Sequence, residues 1–422
     1  MEPLLKNTGR NNNIAVLDGV RALACLAVIT YHINRFTSLS HVWTSAIGSI
    51  TTAIALTGWS GVTLFFVLSG FLLFMPYAKS MLFDSPWPSL RTFYLRRALR
   101  ILPGYYASLF LLIILAHPQY LQPDHLKDLG LFLTLFMDST HETYQQINGP
   151  FWTLAVEWQF YLLLPFLAWG FARIVRHGPL RRRVWKLALC LLGLVIWGVA
   201  TRYWGRYHLL HPDQAPLLPR PIFDAAMFFL YGQDGKFLED FAIGMFVCAG
   251  YTLSQHAEIR QKVSAYLGRY SLWFWGAGVF LLFFMATWSV YPPLQILAPL
   301  IGPHNWLTEL GFALGFGLCV SGILFGPITL KRPFEWAPLR RTGVISYSLY
   351  IWHLPILLAF MAYVLPLVSD WKHLFVYSLY WLCVALVIFP FCYLFYRAIE
   401  EPWIKMAHRK PKMEPATRTP AP

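Results

Sequence analysis

The sequence predicts an all-α membrane protein with about ten transmembrane helices and both termini in the cytoplasm. Three observations carry this prediction. The 422 residues are 57% hydrophobic and only 13% charged, with a mean hydropathy of +0.49, which excludes an ordinary soluble domain. Ten apolar runs, nearly all of spanning length, recur along the chain. The basic residues also divide unevenly. With the runs alternating across a bilayer, 27 of the 34 Lys and Arg fall on one side, leaving Arg35, Lys127, Arg202, Arg206, Arg220, Lys236 and Lys372 on the other. Cytoplasmic loops hold such an excess, and an odd number of spans would scramble it. The net charge of +14 is therefore explained by loops, with no nucleic-acid partner.

In chain order, residues 1–13 form a polar N-terminal segment with Lys6, Arg10 and Asn11 to Asn13. The first apolar run already has spanning length, so no cleavable leader is expected. A membrane domain covers 14–408, with spans at about 15–35, 55–77, 104–117, 151–173, 185–203, 236–253, 271–289, 308–326, 344–364 and 374–396. The third is short and must tilt or extend through Leu102. Before it, residues 86–103 intersperse Arg91, Arg96, Arg97 and Arg100 with Phe93, Tyr94, Leu95, Leu99 and Ile101, the pattern of a basic helix lying at the interface. Residues 118–150 and 205–235 are long outer loops, either functional or solvated connectors. Residues 409–422, polar and Pro-rich, read as a disordered cytoplasmic tail. The six cysteines lie in apolar runs without metal-site spacing and read as small core residues.

The chemistry concentrates where apolar runs carry ionisable groups, which are expensive in lipid. Arg21 and His32, eleven residues apart in the first run, lie within about 20° of one helix face. They are separated by about 16 Å along the axis, comparable to the pantetheine arm between the phosphates and the thioester of a coenzyme A. Glu157 lies about 9 Å inside the fourth run, at a depth similar to His32, so the two can pair; pairing of Glu157 with Arg202 is the structural alternative. His353 is either functional or a hydrogen-bonded core residue. Asp18, three residues before Arg21, can neutralise it. Arg97 and Arg100 suit a nucleotide's phosphates or anionic lipid head groups. Glu239 and Asp240 either meet an acceptor's hydroxyls or are simply wet. No nucleotide phosphate loop, no G-x-S-x-G elbow and no zinc spacing is present.

Several blocks, in order, carry a family resemblance. They are Leu17-Asp18-Gly19-Val20-Arg21-Ala22 with His32, Gly61 to Phe71, Arg97 and Arg100 with Ile101, Pro103 and Tyr105, Trp152 to Tyr161, Ser346 to Pro355, and Glu401-Pro402. Together they resemble the acyltransferase-3 family of membrane O-acyltransferases, the O-antigen acetylases and macrolide acylases, over about 12–405. The match is to the membrane domain without the SGNH-type domain that some members carry. The resemblance implies a multi-pass protein of the bacterial inner membrane that takes an acyl group, acetyl foremost, from cytoplasmic acyl-CoA to a hydroxyl of a carbohydrate or glycosylated acceptor, with no metal. On this reading His32 is the base and Glu157 supports it. Arg21, Arg97 and Arg100 hold the donor's phosphates, and Ser69, Tyr347 and Trp152 are candidate donors to a developing oxyanion. The rival reading is a transporter or flippase with Arg21, His32 and Glu157 along its path, against which no repeat relates the two halves. Oligomeric state stays open.

Overall fold

The structure, a computed structural model, describes residues 12–37, 54–212, 214, 218–290, 306–368 and 373–408. The expected polar N-terminal segment, but for its last two residues, and the expected tail lie outside these. The described residues are helical, with no strand among them. The helices are α1 (Asn12–Thr37), α2 (Gly61–Phe83), α3 (Leu90–Ala116), α4 (Leu126–Thr134), α5 (Phe151–Val175), α6 (Leu180–Leu210), α7 (Arg220–Ala226) and α8 (Leu238–Gln255). They continue as α9 (Arg260–Val290), α10 (Trp306–Phe325), α11 (Ile328–Glu335), α12 (Ala337–Val344), α13 (Ser346–Tyr363), α14 (His373–Cys383), α15 (Phe389–Phe395) and α16 (Glu401–His408).

Eight helices among the described residues are long and apolar enough to cross a membrane, or nine if α12 and α13, bent by 75°, count as one span. The remaining expected span is α8. Its 18 residues reach about 27 Å, but Glu239 and Asp240 lower its hydropathy. It needs no lipid-facing surface because it is packed inside the bundle, with Phe241, Ala242, Met245 and Cys248 fully buried. Its crossing with α2 is backbone to backbone: a Cβ on Gly244 would lie 1.9 Å from the Val67 carbonyl, so only glycine permits the approach. The outer faces of α3, α6 and α9 present Leu115, Leu189, Trp273 and Phe280 for lipid to cover.

Two expectations change. The basic segment does not lie apart at the interface. It continues through Pro103 into the third span as the single 27-residue α3, with Ser89 capping the N-terminus through Thr92 N–H. A separate interfacial helix would have to break before the span. Instead the chain near Pro103 is held: the Tyr347 hydroxyl donates to the Ile101 carbonyl at 2.7 Å. The last span is also longer than expected, running as helix from Leu374 to Ala407. It contains wide π-type turns at Val384–Ile388 and Tyr396–Glu400. The first ends two residues before Pro390, whose missing N–H removes one regular α-helical hydrogen bond from this stretch.

The described residues of the two long loops, within 118–150 and 205–235, are tied into the fold. Gln233 N–H donates to the Asp138 carbonyl at 3.0 Å, Lys236 pairs with the buried Asp138 carboxylate, and Gln159 Nε2 donates to it at 2.7 Å. Both loops are thereby tied to α5.

Candidate active site

α13 packs directly against α1, and this contact brings two histidines together. Cys25 Sγ reaches the Ser346 carbonyl at 3.7 Å, and Ile29 and Ile33 are fully buried beside it. Two turns beyond Ser346, His353 Nε2 lies 3.2 Å from His32 Nδ1, with ring centroids 5.0 Å apart. Each Nδ1 also lies 3.0 Å from the carbonyl one turn earlier, Val28 for His32 and Leu349 for His353. His32 is half-buried and His353 is fully buried. The Tyr350 ring is 5.9 Å from that of His353, and its hydroxyl bonds Thr153 on α5 at 2.8 Å.

Glu157 has other neighbours than the one expected. Ser69 Oγ donates to its carboxylate at 2.5 Å, and Tyr161, one turn along α5, lies in its field. The polar partners of His32 are Val28 and His353 instead. Packing explains the difference: α5 sits against α2, α3 and α6, while α13 occupies the His32 face of α1. Equal depth in the membrane was not enough to make a pair. Glu157 does not pair with Arg202 either, because the Arg202 guanidinium donates to Glu239 at 2.6 Å.

At the end of the bundle bearing the α3 arginines, the buried Tyr161 lies in the fields of Glu157, Arg97 and Arg21. Arg100 lies 3.9 Å from the fully buried Glu400 carboxylate, which also accepts from Ser348 Oγ. Tyr347 lies in the fields of Glu400, Arg100 and Glu157.

A second polar cluster lies between α2, α6, α8 and α10. Arg202 holds Glu239 and the Asp234 carbonyl, its guanidinium lies 4.2 Å over the Phe237 ring, and Glu309 accepts from Thr63 at 3.0 Å. Glu239 and Asp240 are not wet, as the sequence had allowed: they are 1% and 0% exposed. In the loop beside them, burial pushes the Asp234 carboxyl up from its ordinary range against the opposing pull of Arg202 and Arg206.

Sequence reasoning had noted His353 without assigning it a partner, and it missed Tyr161 and Glu400. Glu400 carried a signal. It is an acid in an apolar run beside Glu401-Pro402, with α3 arginines needing a counter-charge.

No solved structure matches this chain. Curated relatives do. The peptidoglycan O-acetyltransferase OatA of Listeria monocytogenes is 26% identical over 84% of this chain and 51% of its own length. The O-acetyltransferase OatA of Staphylococcus aureus is 25% identical over 82% and 51%, and the putative peptidoglycan O-acetyltransferase YrhL of Bacillus subtilis 24% over 83% and 49%. The chain spans about half the length of these relatives. The family model described as an acyltransferase domain matches residues 14–397, from the start of α1 through the histidine pair to the turn before Glu400, and the chain belongs to that acyltransferase family.

Proposed function

We propose that this protein is a membrane O-acetyltransferase that takes an acetyl group from acetyl-CoA to a hydroxyl of a carbohydrate polymer of the peptidoglycan type, with His32 as general base. The observation that carries the proposal is the His32 imidazole, half-buried on a membrane-spanning helix with Nδ1 3.0 Å from the Val28 carbonyl. A carbonyl only accepts, so Nδ1 bears the hydrogen and Nε2 keeps its lone pair. That lone pair can take the proton of an attacking hydroxyl. The acceptor class follows the names of the relatives, two of which are called peptidoglycan O-acetyltransferases.

The thioester of the donor supplies the activated acetyl group. Arg21, Arg97 and Arg100 have the planar, multi-donor chemistry that phosphates favour. At 3.9 Å, Glu400 holds Arg100 loosely enough to leave guanidinium donors for such a group. The hydroxyl hydrogens of Ser69 and Tyr347 already go to Glu157 and Ile101, and the Trp152 ring packs against Tyr144 and Phe237. The excess of Lys and Arg on one side supports cytoplasmic termini and a plasma-membrane location, with the arginine end facing the donor.

The test uses the protein in membranes with labelled acetyl-CoA and glycan fragments. A His32→Ala variant that inserts normally is expected to lose about 10²–10⁴-fold of ester formation, the usual contribution of a general base. Full transfer by that variant refutes the role. Free CoA released only when acceptor is added distinguishes transfer from transport.

A further inference from the structure

We infer that His353 is a positioning residue: its Nε2 accepts the Nδ1 hydrogen of His32 and holds that imidazole in the tautomer with a bare Nε2. This rests on the reading of His32 as base. His353 Nδ1 faces the Leu349 carbonyl at 3.0 Å, which can only accept, so the hydrogen of His353 is on Nδ1 and its Nε2 is an acceptor. That acceptor lies 3.2 Å from His32 Nδ1, whose single hydrogen is shared between it and the Val28 carbonyl at 3.0 Å. The opposite tautomer of either ring would set two lone pairs, or two hydrogens, against each other. Both rings are thus oriented by contacts running in one direction: Leu349 fixes His353, and His353 with Val28 fixes His32.

A carboxylate in this position would fix the tautomer equally well, but would put a full negative charge on a fully buried site within a membrane helix. A neutral imidazole provides the acceptor without that desolvation cost. When Nε2 of His32 takes a proton, Nδ1 keeps its hydrogen bond to His353, so the imidazolium forms without moving its ring.

The experiment compares His353→Phe with His353→Gln, in membranes, for acetyl transfer and for nitrogen NMR of histidine-labelled protein, the His32 signals being identified by their loss in His32→Ala. Phe fills the space but cannot accept; the Gln amide oxygen can. His353→Phe is expected to lower kcat by about 10–100-fold with KM for acetyl-CoA unchanged. This is less than the roughly 10⁴-fold cost of a wrong tautomer elsewhere, because the Val28 carbonyl remains. Its His32 signals should shift toward the tautomer protonated on Nε2, and His353→Gln should recover most of the rate. If His353→Phe keeps the wild-type kcat and tautomer while His32→Ala is inactive, His353 only packs and the inference falls, though the base reading survives. If His32→Ala is active, the base reading fails, and the NMR comparison still decides whether His353 sets the tautomer. Should His353→Phe not fold, the wild-type spectrum decides: a His32 Nδ1 without hydrogen overturns the inference.

Discussion

Two of the groups of ionisable residues buried in this bundle are built differently. The cluster around Arg202 is sealed: Arg202, Glu239 and Asp240 are each under 10% exposed, and the guanidinium donates to Glu239 and to the Asp234 carbonyl. The histidine pair is made of groups that are neutral in their ordinary state, and one of them, His32, is only half-buried. A buried ion pair is hard to break, because removing one partner strands the other's charge. A pair of imidazoles can gain or lose one proton at little structural cost. The comparison suggests that the Arg202 cluster holds α6, α8 and α10 together, while the histidines are available for chemistry.

The largest expected effect tests the first half of that contrast. Arg202→Leu leaves Glu239 without its cation and should destabilise the protein by about 3–5 kcal/mol, seen as lost thermal stability in detergent. Arg202→Leu with Glu239→Leu should recover much of it, whereas His32→Ala should leave stability near wild type. A stable Arg202→Leu protein with impaired transfer would reverse the assignment. An intermediate effect concerns the arginine end. Arg100→Ala should raise KM for acetyl-CoA by about tenfold with kcat little changed, as for one lost charge-assisted hydrogen bond. A drop in kcat alone would mean that Arg100 acts by holding Glu400 and α3. The smallest effect is at Ser69. Ser69→Ala removes a donor to Glu157 and should cost about 1 kcal/mol of stability, measured by denaturation. A much larger loss of activity than of stability would move Ser69 from support to chemistry.

How far the site was legible depended on the range of the interaction. Helical period places Arg21 and His32 on one face, because both lie on one continuous helix, and α1 does run from Asn12 to Thr37. Membrane depth alone suggested Glu157 as the partner of His32. Depth is one coordinate, and packing chose His353, 321 positions away along the chain. The loops 118–150 and 205–235 looked alike in composition to functional and to solvated segments. Only the bonds from Gln233 and Lys236 to Asp138 show that one is tied to the other.

The amino-acid sequence by itself determined that this chain lives in lipid, which runs cross it and which residues carry unusual chemistry there. These follow from hydrophobicity, length and charge read locally along the chain. Tertiary structure alone decided which of those residues touch: His32 with His353, Glu157 with Ser69, Arg202 with Glu239, Arg100 with Glu400. In lipid, association between helices depends on close backbone approach, as at Gly244 on Val67 and Gly343 on Asp18, and on shape, for which hydrophobic pattern carries almost no information.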